Sequence, residues 1–195
     1  MDRFKLPVVD SECYLIEHFF TLGDANHFFE KIKTNGQWQQ QTIKIFGREV
    51  ETPRLSAWYG DDGAVYRYSG VENQPLPWFS ELLEIKFKLS EFTEQAFNSV
   101  LLNLYRDGRD SMGWHADDEP ELGSQPFIAS VSFGQARRFM MKHKTTKQLP
   151  SVNLTLTHGS LLIMAGNTQR YWKHSLPKST KPMTQRINLT YRMII

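Results

Sequence analysis

The chain has 195 residues, with 23 lysines and arginines against 21 acidic residues, a formal net charge of +2 and one cysteine. This length suits one domain with a substantial core. The net charge is so close to zero that overall charge alone does not indicate a strongly charged partner. The single Cys13 excludes an internal disulfide, and we find no apolar run as long as a signal peptide or membrane span. We therefore expect a monomer in the cytoplasm, or in the nucleus of a eukaryote, without membrane contact.

The first third of the chain mixes helical and extended patterns. Apolar residues recur at helical spacing after Asp24, which we expect to cap the first helix. From Thr42 the stretch TIKIFGREV alternates like a strand and is broken at Gly47, and AVYRYSG lies between turn signals as another short strand. A second helix is expected after Trp78.

The second half reads almost entirely as strands. The strand-like segments are VLLNLYRDG, PFIASVSFG, RRFMMKHK, SVNLTLTHGSLLIMAG, YWKHSLPK and QRINLTYRMI. Several short strands separated by turns favour a β-sandwich or barrel. The predicted fold class is mainly β with flanking helices, in which N-terminal helices and a hairpin lie against a C-terminal β-domain.

The last of these strands has an unusual polar row. Residues two apart share a face of a strand, so one row is apolar (Ile187, Leu189, Tyr191, Met193) and the other is polar (Arg186, Asn188, Thr190, Arg192). Such a row either faces water on a half-exposed strand or lines a cavity that holds an anion.

The segment GWHADDEPEL contains a metal-binding pattern. His115 and Asp117 are two apart, so on extended backbone both side chains project to one side, as adjacent ligands of one metal require. His174 is the third candidate, and His158 is its rival. Two histidines and a carboxylate form the ligand set of non-haem Fe(II) oxygenases. When the cosubstrate is 2-oxoglutarate, its far carboxylate needs a cation, which favours the cavity interpretation of Arg186 and Arg192.

These residues lie in the motifs NLYRDGRDSMGWHADDE, PFIASVSFGQARRF, HGSLLIMAG, YWKHSLP and RINLTYR. Over roughly residues 42 to 195 the sequence resembles the AlkB family of Fe(II)/2-oxoglutarate-dependent nucleic-acid dealkylases. IFGREVETPR and YGDDGAVYRYSG are similar to the nucleotide-binding region of the branch that contains the second human AlkB homologue. The resemblance implies a double-stranded β-helix, or jelly roll, as a single dioxygenase domain over 1–195. About 1–100 would form an N-terminal extension and nucleotide-recognition lid, and about 100–195 the catalytic core.

The resemblance also implies roles for individual residues. The iron ligands would be His115, Asp117 and His174. The 2-oxoglutarate site would comprise Asn103, Tyr105, Arg186, Asn188, Thr190 and Arg192. The damaged base would be recognised by Tyr66, Tyr68, Ser69, Asp118 and Glu119, with Phe46 filling the gap that a flipped base leaves in the duplex.

The activity so implied is oxidative demethylation of bases such as 1-methyladenine and 3-methylcytosine in DNA, with Fe(II), 2-oxoglutarate and dioxygen. Phe46 favours duplex DNA, whereas the basic loop KHKTTKQLP is shorter and poorer in arginine than in that branch, so single strands or RNA remain alternatives. A catalytically silent binder of damaged nucleic acid is the alternative from another class, and the complete triad argues against it. Candidate phosphate contacts are Arg48, Arg54, Lys142, Lys144 and Lys147.

Overall fold

The computed structural model describes residues 4–6, 8–45, 47–68 and 71–195. Within them lie fourteen strands, three helices and a 3-10 turn at Pro120–Leu122. The helices are α1 (Leu22–Asn35), α2 (Ser80–Thr93) and α3 (Thr168–Tyr171). The strands are β1 (Phe4–Lys5), β2 (Glu12–Ile16), β3 (Gln39–Ile45), β4 (Arg48–Gly60), β5 (Tyr66–Tyr68), β6 (Val71–Asn73), β7 (Ser99–Tyr105), β8 (Met112–His115), β9 (Ile128–Gly134), β10 (Arg137–His143), β11 (Val152–Leu156), β12 (Ser160–Ala165), β13 (Trp172–Leu176) and β14 (Arg186–Arg192).

Among the described strands, twelve form two antiparallel sheets. The larger sheet has the order β1-β2-β12-β9-β14-β7-β4-β3, and the smaller one has the order β11-β10-β13-β8. The remaining pair, β5 and β6, forms a separate hairpin. The larger sheet takes strands from both sides of residue 100, since β2 pairs with β12 and β4 pairs with β7. Non-consecutive neighbours in both sheets give the crossed connectivity expected of a jelly roll.

Two apolar cores lie on opposite sides of the larger sheet. The first lies between that sheet and helices α1 and α2, where Phe28 and Ile85 belong to the same buried cluster as Val131 of β9. The second lies between the two sheets, where Phe139 of β10 packs with Met164 of β12. The larger sheet is therefore covered on both faces, which explains why β12 and much of β7 read as nearly continuous apolar runs.

All seven residues of strand β14 are buried, so neither of its two rows of side chains faces solvent. Ile187, Leu189 and Tyr191 belong to the core beneath the helices. The polar row from Arg186 to Arg192 points the other way, into the space between the sheets. The row therefore lines a cavity, as one of the two interpretations predicted, and the solvent-facing interpretation is wrong.

Several local predictions differ from the structure. The first helix begins at Leu22, and Thr21 is its N-cap because its Oγ1 accepts a hydrogen bond from Asp24 N at 3.2 Å. Asp24 thus lies in the first turn and does not cap the helix. The long segment from Ser151 to Gly166 is two strands, divided at Gly159, whose φ of 76° suits glycine. Helix α3 was not predicted. None of the described helices combines the length and apolar character that a membrane crossing would need.

Candidate metal and cosubstrate site

The predicted metal ligands meet at the edge of the smaller sheet. His115 ends β8, Asp117 follows in the loop, and His174 lies in β13, directly opposite His115 in the pairing of the two strands. The Nε2 atoms of His115 and His174 lie 3.9 Å and 3.8 Å from the two carboxylate oxygens of Asp117. All three ligand atoms lie within 4.8 Å of one another, the one such group of three found among the described residues. A single ion can therefore be held by all three.

The rival ligand His158 has a different role. Its Nδ1 accepts a hydrogen bond from Gly134 N at 2.8 Å, and its Nε2 lies 3.2 Å from Asn26 Oδ1. It thereby links the β9 end to helix α1. It is not part of the metal-ligand cluster.

The protonation of the three ligands suits a divalent metal. His115 Nδ1 lies 2.9 Å from the Gly113 carbonyl oxygen, an arrangement in which Nδ1–H donates and the Nε2 lone pair faces the site. Burial lowers the pKa of His174 to about 3, so this imidazole is neutral. Burial alone would raise the pKa of Asp117, but the charge of Arg192, together with His174 and His115, outweighs it and the pKa is lowered. Two imidazole nitrogens and a carboxylate oxygen form the donor set of non-haem Fe(II) sites.

A buried glutamine fixes the loop that carries Asp117. Gln169 of α3 is 1% exposed, and its Oε1 accepts a hydrogen bond from Asp117 N at 3.0 Å. Lys144 donates from Nζ to the Gln169 carbonyl oxygen and to Asp118 Oδ2, both at 2.7 Å. Sequence reasoning missed Gln169, because an uncharged amide 52 residues from its partner leaves no spacing signal.

The metal ligands open onto one cavity between the two sheets. It encloses about 470 Å³ of empty space, including its mouth. All six residues predicted for the 2-oxoglutarate site line it together with the triad: Asn103, Tyr105, Arg186, Asn188, Thr190 and Arg192. The rest of the wall is mainly apolar, with side chains that include Leu101, Met112, Phe139, Leu156, Met164 and Leu176. The cavity thus combines an apolar part of the wall with charged and neutral polar groups at defined points.

Arg186 has the features of an anion anchor. The residue is 2% exposed, its Nη2 donates to Ser132 Oγ at 2.9 Å, and its Cζ lies 5.2 Å from the centroid of the Tyr105 ring. Its Nε and Nη1 are buried without a hydrogen-bond partner. Burial lowers the pKa of Arg186 to about 10, so the side chain remains charged near neutral pH. A buried cation with open donors is costly unless an anion fills the space, and a carboxylate matches the geometry of the guanidinium.

Hydrogen bonds fix the other polar side chains of the wall. Asn188 Nδ2 donates to Ser130 Oγ and to the Val131 carbonyl oxygen, both at 2.9 Å, and Thr190 Oγ1 donates to Asn188 Oδ1 at 3.3 Å. Ser130 and Ser132 were missed from the sequence, although their two-residue spacing in IASVSFG is a signal that could have found them.

Two candidate phosphate contacts serve other purposes. Arg54 is only 4% exposed and donates from Nε to Asn103 Oδ1 at 2.8 Å, so its prediction as a surface contact is wrong. Its side chain contacts Asn103 of β7, the strand that pairs with β4. Lys144 is held by Asp118 and Gln169, as described above.

The predicted base-recognition residues are described only in part. Phe46 and Ser69 lie outside the described residues. Tyr66 and Tyr68 are the first and last residues of β5, and the description does not extend to their side chains. Asp118 is exposed and Glu119 is half-buried, both in the loop directly after Asp117.

Comparisons with known proteins agree with this geometry. Residues 12–192 match the family model described as the 2OG-Fe(II) oxygenase superfamily. Over 96% of its length the chain is 40% identical to alpha-ketoglutarate-dependent dioxygenase alkB homolog 3 of Bos taurus, covering 68% of that protein. Over 90% it is 40% identical to the DNA oxidative demethylase ALKBH2 of Homo sapiens, covering 71% of it. The chain thus spans about two thirds of the length of these relatives.

A solved structure described as "The structure of OsALKBH1" superposes with a TM-score of 0.67 at 17% identity, over 96% of this chain and 99% of that one. At this level of identity the likeness speaks for the fold, and the predicted jelly roll is confirmed.

Proposed function

Because this chain belongs to the 2OG-Fe(II) oxygenase superfamily, as an AlkB-family dioxygenase that uses Fe(II), 2-oxoglutarate and dioxygen, we propose that it removes N-linked alkyl groups from DNA bases. The substrates would include 1-methyladenine and 3-methylcytosine. Each turnover would convert the alkylated base, 2-oxoglutarate and dioxygen into the repaired base, an aldehyde, succinate and carbon dioxide. A monomer acting on DNA in the cytoplasm, or in the nucleus of a eukaryote, fits this activity.

One observation carries the proposal: the metal triad and the open donors of Arg186 face the same buried cavity. His115, Asp117 and His174 would hold Fe(II), and Arg186 would bind the far carboxylate of 2-oxoglutarate. When bound, iron and 2-oxoglutarate would activate dioxygen, the oxidant that supplies the oxygen atom inserted into a C–H bond of the alkyl carbon. A pure binding protein would have no use for an anion anchor beside a metal site.

The side chains of this protein keep the metal-site carboxylate charged, orient the imidazole and exclude water from the cavity. Arg192 keeps Asp117 ionised through the buried hydrogen bond to Oδ1, and the Gly113 carbonyl keeps the His115 lone pair directed at the site. The apolar wall from Phe139 to Met164 excludes water, which limits side reactions of an activated metal site. The hydroxylated N-alkyl carbon is a hemiaminal, which releases its aldehyde without a dedicated protein group.

Recognition of the base would fall to the lid and to the loop after Asp117. We propose that Tyr68 stacks on the extruded base, with Tyr66 and Ser69 beside it, and that Glu119, with the free oxygen of Asp118, accepts hydrogen bonds from the exocyclic amine. The relative named a DNA oxidative demethylase supports DNA as the polymer. Phe46 would fill the gap in a duplex, so duplex DNA is the proposed form of the substrate.

The test is release of succinate and formaldehyde by purified protein with Fe(II), 2-oxoglutarate and ascorbate. A duplex that carries one 1-methyladenine is compared with the matching single strand and RNA. We expect turnover that is fastest on the duplex, lost in Asp117→Ala, and reduced selectively on the duplex in Phe46→Ala. Faster turnover on single strands or RNA would retain the chemistry and reject the duplex. Absence of succinate with every substrate would reject the enzyme in favour of a silent binder.

A further inference from the structure

The outward side of the smaller sheet carries positive charge without compensation. Its four strands contain no aspartate or glutamate, although acidic and basic residues are nearly balanced in the whole chain. On β10, Phe139 and Met141 are buried whereas Arg138 and Lys142 are exposed, and on β13 Lys173 is exposed between two buried residues. We call Trp114, Arg138, Lys142 and Lys173 the outer basic face.

Two lysines of this face lie side by side. Lys142 and Lys173 are directly opposite in the antiparallel pairing of β10 and β13. Like charges in directly opposed positions destabilise a sheet, and none of the ion pairs found among the described residues includes either lysine. Arg138 donates to Asn153 Oδ1, a neutral acceptor, so its charge also remains uncompensated. A bound polyanion would remove this repulsion.

The face also presents a large aromatic ring. Trp114 is 38% exposed, and because side chains alternate along β8 it points away from the cavity that its neighbour His115 lines. The Nζ atom of Lys142 lies 4.2 Å from the centroid of the Trp114 ring. An aromatic surface flanked by cations is the combination that binds single-stranded nucleic acid, since bases stack on the ring and phosphates contact the cations.

We propose that the outer basic face binds an unpaired stretch of DNA that flanks the duplex carrying the damaged base, with one base stacked on Trp114 and phosphates held by Lys142, Lys173 and Arg138. That the polymer is DNA rests on the function proposed above. The outer basic face itself lies outside the cavity and can be tested separately. An unpaired strand is favoured over a duplex because duplex bases are stacked on one another and cannot cover Trp114. The face would bind the part of the DNA that extends beyond the damaged base and so slow dissociation of the DNA from the enzyme.

Binding of undamaged oligodeoxythymidine, measured by fluorescence anisotropy over a range of salt concentrations, tests the proposal without turnover. A single strand of about 16 nucleotides, the long strand, is compared with a blunt duplex of the same length. In Lys142→Ala/Lys173→Ala the slope of log affinity for the long strand against log salt concentration should become shallower by about 1.4, which is about 0.7 for each lost phosphate contact. Trp114→Ala should weaken binding of the long strand about tenfold, and Trp114→Phe should restore most of it. Affinity for the duplex should stay within about twofold of its original value in both Trp114 variants.

The matched control is Lys31→Ala/Lys33→Ala, which removes two charges from α1, on the far side of the larger sheet. This control variant should leave the slope of log affinity against log salt concentration unchanged. The proposal is overturned if the face variants bind the long strand as the original protein does, or if the control loses as much. Equal losses on a blunt duplex would also overturn the single-strand assignment. Because no damaged base is used, these results stand whether or not dealkylation is observed.

Discussion

Arg192 donates a hydrogen bond from Nη2 to Oδ1 of Asp117 at 2.8 Å, and both side chains are buried. A cation from the last strand thus compensates the metal-binding carboxylate before any metal is bound. Removing one partner of a buried pair leaves an uncompensated charge, which typically costs about 3–5 kcal/mol. The metal-free protein should therefore depend on this contact more than the metal-bound protein does.

We predict that Arg192→Met lowers the melting temperature of the metal-free protein and that Mn(II), a stand-in for Fe(II), recovers much of the loss. The metal supplies the positive charge that the variant lacks, so the rise in melting temperature on adding Mn(II) should be larger than in the original protein. Thermal unfolding with and without Mn(II) measures both quantities, and Arg192→Lys is the conservative control. Equal rises in both proteins would show that Arg192 does not compensate Asp117.

Two buried arginines next to the Tyr105 ring should respond differently to substitution. Arg137 donates to three backbone carbonyl oxygens, those of Asp107, Asp110 and Pro177, so Arg137→Gln should cost about 3 kcal/mol of stability. Arg186 has open donors toward the cavity, so Arg186→Gln should change the melting temperature little but raise the KM for 2-oxoglutarate about 100-fold.

The comparison needs denaturant unfolding and 2-oxoglutarate titrations on both variants. Loss of stability in Arg186→Gln with an unchanged KM would make Arg186 a structural residue like Arg137.

Local geometry explains which parts of the site the sequence could predict. The two-residue spacing of His115 and Asp117, and that of the polar row in β14, is set by the alternation of strand side chains, which holds wherever a strand forms. His174 was a candidate for the third ligand, but its position opposite His115 could not be predicted from spacing, because the pairing of β13 with β8 joins residues 59 positions apart. Long-range pairs of this kind carry no local signal.

Other features depended on contacts that no pattern encodes. Thr21, and not the predicted Asp24, caps α1 because its hydroxyl accepts a hydrogen bond from the Asp24 amide. The burial of Arg54 depends on Asn103 in another strand. Gln169 reaches Asp117 only after α3 forms between β12 and β13.

Gln169 should control metal affinity although it is not a ligand. Its side chain orients the Asp117 amide, and loss of such a supporting contact typically weakens metal binding about 10- to 100-fold. We predict this loss in Gln169→Leu, measured by titration of Co(II) absorption in the metal-free protein. Gln169→Glu retains an acceptor oxygen and should restore part of the affinity. Normal metal affinity in Gln169→Leu, with only lower stability, would assign Gln169 to packing alone.

The turn after β7 should make the protein sensitive to acid. Asp110 accepts three hydrogen bonds from Arg106: from the backbone N at 2.9 Å, from Nε at 2.8 Å and from Nη2 at 3.0 Å. Burial alone would raise the pKa of Asp110, but the bonds and charge of Arg106 outweigh it, and the pKa is lowered from its ordinary value of 3.8. A carboxyl whose pKa is lowered by folding stabilises the folded state above its unfolded pKa, and this stability is lost as the pH falls through the folded value.

We therefore predict that Asp110→Asn lowers the free energy of unfolding by about 1 kcal/mol near neutral pH, a modest value because Arg106 is partly exposed. The difference from the original protein should shrink as the pH falls below 3.8, where the original carboxyl also becomes protonated. Urea unfolding at neutral and acidic pH measures this difference. Asp107→Asn removes an exposed partner of Arg109 in the same turn and should have little effect at either pH. A difference for Asp110→Asn that is independent of pH would mean that the amide disturbs the turn itself, and that the charge of Asp110 contributes nothing.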